Sequence, residues 1–408
     1  MPGTGGIEQK ARWDLFYRLG AVACSMVYGI LISRFLGAEG RGTFVMQSLL
    51  VQGLCLTFLN PGLGVAFQTI CARKPAALRV CHRWALVSAA SLALLATIVF
   101  FPLGLMGTGE VILLVGAGFF ATLYQAFAGG LLNGLGRVVE RARLEFLQSA
   151  LLAGFAFTQW GTGETSVRMT LLGFYGVMGI SALLFFRLVY PEHRGGLRGT
   201  LKRRHFNELL GYGLRVYAGE VAASSRFQLD QVVISSVFGA AGLGVYQQAQ
   251  ALATRGLMPS QSYSTALWKP MGQAGTEEQA SLMLWATLRQ VFLISVVVLV
   301  VGWVCAPLIP VIYGSDFVDA VSVFRILLPG VLLQGAVQVI AVWMFAHRRA
   351  PARVAALNWI SLGIQGLLMA VAWLVWPSLT GFAVGLSVAW CCTAVLFFVG
   401  MGRKVPFK

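Results

Sequence analysis

Two stretches of the chain match each other without gaps: ISRFLGAEGRGTF at residues 32–44 and ISSVFGAAGLGVY at residues 234–246. The offset between them is 202 residues, close to half of the 408-residue chain. Pro102-Leu103 and Pro307-Leu308 recur at nearly the same separation. Self-similarity over such a distance predicts two tandem halves, and an even number of helices in each half gives both the same orientation in a membrane. Chance similarity between turns rich in glycine and alanine is the alternative.

The composition is that of a membrane protein. Hydrophobic residues make up 57% of the chain and charged residues only 11%, with a mean hydropathy of +0.75. Apolar runs long enough to cross a bilayer recur from end to end, which predicts an all-α polytopic protein with about twelve transmembrane helices. We place these helices near residues 14–36, 43–70, 84–106, 110–135, 144–160, 168–190, 207–238, 244–268, 282–306, 321–346, 353–376 and 378–402.

The basic residues behind the net charge of +16 are concentrated in the loops between these helices and at the termini. Of the 31 Lys and Arg residues, 21 fall at the N-terminus, at the C-terminus and in alternate loops, and the loops between hold only Arg41 and Arg168. By the positive-inside rule, both termini are cytoplasmic. The basic loops favour contact with anionic membrane lipids, and no nucleic acid is expected as a partner. The halves are then residues 1–190 and 207–408, joined by a basic cytoplasmic linker at 191–206.

The span at 207–238 carries four charges: Arg215, Glu220, Arg226 and Asp230. A charge near the bilayer centre costs about 2.5–3.5 kcal/mol, so four in one span need a reason. Arg215 and Arg226 lie about 20° apart around a helix, and Asp230 follows Arg226 by one turn, whereas Glu220 points elsewhere. This cationic stripe predicts a helix that lines water or a polar cavity. The alternative is that the charges pair inside the helix bundle.

The next span is unusually polar. Gln247, Gln250, Thr254 and Gln261 follow helical spacing, with Arg255 beside them. Amides and hydroxyls suit the hydroxyl groups of a sugar, and arginine suits phosphate oxygens. Hydrogen bonds between helices explain the same residues equally well.

Helix one contributes another arginine. Arg18 follows Asp14 by one turn, so the two side chains are expected to pair. At the offset of the repeat, Arg18 also corresponds to Glu220 in helix seven. Opposite charges at equivalent positions predict attraction between the two halves across a cleft.

Several of these features together resemble one family. The segments RFLGAEGRGTF, FQLDQVVIS, VYQQAQAL and YGSDFVDAVSVFRILLPG, in two tandem six-helix halves, are similar to the Wzx-type polysaccharide flippases. These belong to the multidrug/oligosaccharidyl-lipid/polysaccharide exporter superfamily. The resemblance covers nearly the whole chain, but each motif is short and dominated by glycine. It implies two pseudo-symmetric six-helix lobes around a central cavity.

The function implied by the resemblance is a flippase. Its substrate would be an oligosaccharide on undecaprenyl diphosphate, moved by alternating access to the outer leaflet of the bacterial inner membrane for surface polysaccharide biosynthesis. A polymerase and glycosyltransferases would be partners. We expect Arg18, Arg215, Arg226 and Arg255 at the diphosphate and the cavity. Gln247, Gln250, Thr254 and Gln261 would face the glycan, and Glu220 and Asp230 would serve in gating or in proton coupling, as in an antiporter.

Two other classes of protein compete with the flippase. An enzyme, such as a membrane glycosyltransferase or ligase, is disfavoured because the chain lacks a phosphate-binding loop, a metalloprotease motif and a nucleophile elbow. No catalytic residue, metal or cofactor is therefore expected. A drug or cation exporter of the same superfamily is the nearer rival. The first half offers no clear mid-membrane carboxylate for a cationic substrate, since Asp14, Glu140 and Glu145 lie at its cytoplasmic side.

Overall fold

A computed structural model describes residues 4–48, 63–73, 77–100, 109–163, 166–190 and 203–402. Over these residues the chain is almost entirely helical. The first six helices are α1 (Thr4–Ser48), α2 (Leu63–Arg73), α3 (Leu78–Phe100), α4 (Gly109–Leu135), α5 (Val138–Thr162) and α6 (Val167–Val189). They correspond to the first six predicted spans, with the second span divided between the end of α1 and α2.

The remaining helices follow the predicted order. They are α7 (Arg203–Arg255), α8 (Met258–Gln273), α9 (Glu277–Cys305), α10 (Leu308–Tyr313), α11 (Ala320–Val342), which continues into a π-helical turn (Trp343–His347), α12 (Pro351–Val375) and α13 (Leu379–Gly402). Eight helices of the described ranges are long and apolar enough to cross a membrane. The prediction of an all-α polytopic membrane protein is confirmed.

The chain divides into two compact units, Met1–Tyr217 and Ala218–Lys408. In the first unit, α4 packs against α2, α3 and α6, while α1 packs along α5. The residues at one face of α4, spaced four apart, are buried: Phe119, Leu123, Phe127 and Leu131. In the second unit, α11 packs against α13, α9 and α8. The predicted boundaries at 190 and 207 stay a prediction, and residues 191–202 lie outside the described part.

Glycine permits a close contact between two helix backbones in the first unit. A Cβ atom at Gly130 of α4 would collide with the backbone carbonyl of Gly64 in α2, and one at Gly134 would collide with that of Gln68. Small residues let helix backbones approach closely, which is how helices associate where lipid removes the hydrophobic driving force. This contact fixes α2 against the central helix of its unit.

Both repeat segments turn at the same glycine. Gly37 (φ 64°, ψ −173°) breaks the helical geometry of α1, and Gly239 (φ 69°, ψ −169°) breaks that of α7. Their separation is the 202-residue offset of the sequence match. These dihedral angles belong to a region that essentially only glycine adopts. The matching backbone supports the interpretation of the sequence similarity as an internal repeat.

Candidate functional site

A polar cluster forms where α7 turns at Gly239. The Asp230 carboxylate precedes the turn, and its Oδ2 accepts hydrogen bonds from the Tyr246 hydroxyl (2.5 Å) and from Gln250 Nε2 (2.7 Å) after it. Asp230 Oδ1 accepts the backbone N–H of Gln231 (2.8 Å), whose side chain donates to Gln250 Oε1 (3.0 Å). Asp230 and Tyr246 are completely buried. Because three donors converge on this carboxylate, they satisfy its buried oxygens and tie the two arms of the turn together.

Arg226 lies one helical turn before Asp230 and is 3% exposed. Its Nη1 donates to Thr393 Oγ1 (3.0 Å) on α13, and its backbone carbonyl accepts Gln365 Nε2 (2.6 Å) on α12. Its Nε is buried without a hydrogen-bond partner. Within the described residues no ion pair joins Arg226 to Asp230, although the sequence spacing allowed one. A buried guanidinium without a carboxylate retains an unmet attraction for anions.

The polar residues that follow the turn divide into two groups. Gln250 is buried and donates to Asp230, so it belongs to the cluster, and Thr254 donates to carbonyls of its own helix at Gln250 (2.9 Å) and Ala251 (3.1 Å). Gln247, Arg255 and Gln261 remain partly exposed. Gln250 is therefore the buried member of the predicted set, whereas Thr254, like these three side chains, is half-buried.

The remaining candidates on α7 differ in what surrounds them. Glu220 is half-buried and has no hydrogen bond or ion pair with any side chain in the described ranges. The side chain of Arg215 lies outside the described part of the chain. Arg255 ends α7, immediately before the break at Gly256, and lies close to Tyr313.

Arg18 lies in the first unit and is held by acidic residues. Its Nε contacts Asp14 Oδ2 (2.8 Å), as the sequence predicted, and its Nη1 lies 3.5 Å from Glu145 Oε2 on α5. Arg141 completes the group through a 2.7 Å contact with Glu145 Oε1. With two carboxylates around it, Arg18 bears less net positive potential than a lone arginine and links α1 to α5.

Sequence reasoning missed several partners. Arg41 was placed in an outside loop, but it belongs to α1, is buried, and donates to the Gly29 carbonyl (3.1 Å) and to Ser33 Oγ. Thr393 and Gln365, which hold Arg226, come from helices more than a hundred residues away. The sequence pointed to Thr393 and Gln365 only in that each is a polar residue within an otherwise apolar span.

Comparison with known proteins places this geometry in a wider context. A family model described as "Polysaccharide biosynthesis protein" matches residues 177–322, from α6 to the start of α11. No curated protein matches the chain. Solved MATE structures superpose on nearly all of it. The protein has the MATE transporter fold.

Three structures illustrate the likeness. The MATE in complex with MaD3S has a TM-score of 0.72 at 18% identity, covering 97% of this chain and 94% of that one. An outward-facing multidrug resistance MATE transporter of the MOP superfamily gives the same values. A variant of the Vibrio cholerae MATE transporter VcmN has a TM-score of 0.76 at 14% identity, covering 98% and 97%. The MATE fold and the polysaccharide family match over residues 177–322 agree with the resemblance drawn from the sequence.

Proposed function

We propose that this multi-pass membrane protein flips an oligosaccharide linked to undecaprenyl diphosphate. The substrate would move from the cytoplasmic to the outer leaflet of a bacterial inner membrane, by alternating access, with both termini in the cytoplasm. The observation that carries the proposal is the polysaccharide biosynthesis match over residues 177–322, since that stretch contains every charged group of α7. Glycosyltransferases that build the lipid-linked unit and a polymerase that consumes it would be its partners.

The charges of α7 support an anionic substrate. Arg226 is buried without an acidic partner among the described side chains, and Arg255 is partly exposed at the helix end. A guanidinium group can bind two phosphate oxygens at once, which a diphosphate supplies. In this proposal Arg255, half-buried beside Tyr313, is the phosphate contact, and Arg226 contributes positive potential. Glu220, the acidic group without a described partner, is then the better candidate for coupling or gating, because Asp230 is occupied by three donors.

Transport by arginine variants tests the proposal. The purified protein would be reconstituted with a lipid-linked oligosaccharide bearing a fluorescent sugar, and a lectin would report the sugar that reaches the opposite leaflet. We expect Arg255→Gln to slow flipping about tenfold, since a charge-assisted hydrogen bond contributes about 1.5–3 kcal/mol, and Arg255→Lys to retain part of the rate. Arg168→Gln, an exposed arginine outside the site, is the matched control. Full activity of Arg255→Gln together with full activity of Arg226→Gln would remove both arginines from the site.

A second candidate is favoured by the fold itself, because a solved relative is described as a multidrug resistance transporter. Under this alternative the protein would export a small organic cation. Efflux of ethidium from cells that express the protein distinguishes the two functions. Ethidium efflux without movement of the lipid-linked sugar would favour the exporter and contradict the flippase.

A further inference from the structure

The second unit contains an apolar groove of about 570 Å³ on the outer surface of α9 and α11. Trp285, Phe292 and Val296 of α9 line it at helical spacing, and Leu333 of α11 faces them. Trp285 and Phe292 are 54% and 63% exposed, so the groove is open along its length. In a bilayer an open apolar groove at the protein surface faces the hydrocarbon chains of the lipids.

One cation interrupts this surface. Arg289 lies between Trp285 and Phe292 in the groove lining and is exposed. It follows the start of α9 by twelve residues, about 18 Å along a helix, in one of the most apolar spans of the described chain. Within the described ranges it has no ion pair or hydrogen bond with another side chain. An unpaired arginine at this depth marks a functional site by default.

The wall behind the groove contacts the candidate site. Leu332 lines the groove, and its Cδ2 atom would lie 3.2 Å from a Cβ atom built at Gly256, the break directly after Arg255. Val291, also in the lining, packs against Gly335, whose other neighbour is Ser260 of α8. A chain in the groove would therefore press on Leu332, which backs the break at Gly256, and on Val291, which contacts Gly335.

We propose that this groove binds the polyprenyl chain of a lipid carrier, with the carrier phosphate on Arg289. A phosphate beside a long apolar chain matches Arg289 beside this apolar groove, in both charge and polarity. The choice of a polyprenyl carrier over an ordinary phospholipid rests on the proposed function. The groove then serves as a docking site for the carrier on the outer surface of the second unit.

Native mass spectrometry of the full-length protein tests the proposal. Decaprenyl phosphate, decaprenol and phosphatidylglycerol would be titrated separately and in competition. We expect Arg289→Gln to weaken binding of decaprenyl phosphate about tenfold and to leave decaprenol unchanged, since only the phosphate meets Arg289. Ala336→Trp, which fills the groove, should weaken both polyprenyl ligands. Val304→Trp is the matched control on α9, because Val304 is 73% exposed and lies outside the groove.

Two results would overturn the proposal. Equal binding of decaprenyl phosphate by the wild type, Arg289→Gln and Ala336→Trp would show that it binds elsewhere. Displacement of decaprenyl phosphate by an equal concentration of phosphatidylglycerol would assign the groove to phospholipid. If Ala336→Trp does not fold, Leu333→Trp at the rim of the groove replaces it.

The binding experiment and the flipping experiment fail separately. Binding that depends on Arg289, in a protein that moves no lipid-linked sugar, would keep the carrier site and reject the flippase. Normal flipping by Ala336→Trp and Arg289→Gln, with unchanged binding, would reject the groove and keep the flippase.

Discussion

The two units make the same turn and secure it differently. Gly37 and Gly239 share nearly the same dihedral angles at equivalent positions of the repeat. In the first unit Arg41 reaches back across the turn to Ser33 and the Gly29 carbonyl. In the second unit Asp230 receives Tyr246 and Gln250 from beyond the turn. The comparison teaches that both copies retain the backbone conformation. The charged group that stabilises it is a cation in the first unit and an anion in the second.

Equivalent positions make the difference sharper. At the 202-residue offset Asp230 corresponds to Tyr28, and Arg41 corresponds to Leu243. Tyr28 has a buried hydroxyl group without a hydrogen-bond partner in the described part of the chain. Each unit therefore has a polar side chain at this position of the helical segment before its turn glycine. Only in the second unit is that side chain a carboxylate.

The largest effect is expected from removing the carboxylate that holds the second turn, Asp230. Asp230→Ala leaves the Tyr246 hydroxyl and the Gln250 amide buried without an acceptor. Loss of one partner of a buried polar group costs about 1–3 kcal/mol per orphaned group, so we expect a destabilisation of about 3 kcal/mol. The unfolding temperature in detergent, read by intrinsic fluorescence, measures it. The exposed Asp316→Ala is the control, and an equal effect at both sites would contradict the role of the cluster.

An intermediate effect is expected from the turn itself. A Cβ atom at Gly239 meets nothing within 4 Å, so any loss in Gly239→Ala comes from backbone strain, about 1–3 kcal/mol. Gly363→Ala, also with open space but inside helix α12, should instead gain about 0.5–1 kcal/mol. The same thermal unfolding assay compares the two alanine variants, and a stabilised Gly239→Ala would show that the turn does not require glycine.

The smallest effect is expected from the first turn. Arg41→Met keeps an unbranched apolar stem and removes the hydrogen bonds of the guanidinium to Ser33 and Gly29, which we expect to cost about 1–2 kcal/mol. A loss larger than that of Asp230→Ala would reverse the comparison between the units. Ser33→Ala in the same assay measures how much Ser33 contributes to stability. The double variant Arg41→Met/Ser33→Ala then gives the coupling energy between the two side chains.

Much of this fold was accessible from the sequence. The predicted spans at 110–135, 168–190 and 378–402 match α4, α6 and α13 within a few residues, because long apolar runs are local and their length is fixed by the bilayer. The Asp14–Arg18 pair was accessible for the same reason, since one helical turn brings the two side chains together wherever the helix packs. The turn glycines were marked by the repeat.

The site was accessible only in part. The sequence identified Arg226, Asp230 and Gln250 as unusual. Its spacing also suggested that Arg226 and Asp230 could form an ion pair. In the structure Arg226 forms hydrogen bonds with Thr393 and Gln365 instead. Asp230 accepts hydrogen bonds from Tyr246 and Gln250. Spacing along one helix says which side chains lie on the same face, whereas the preferred partner depends on which other helices bring donors closer.

The sequence by itself determined the class of the protein: a duplicated, all-helical membrane chain with charges concentrated in α7. The length of the apolar runs, the charge of the loops and the internal repeat are all properties of the order of residues along the chain. They can therefore be recognised without knowing how the helices pack. Only the tertiary structure decided which charges are neutralised and which remain available. Arg18 is held by two carboxylates, Asp230 by three donors, and Arg289 faces an open apolar groove. These outcomes depend on contacts between distant segments, and pairwise electrostatic energies in a low-dielectric interior change steeply with distance.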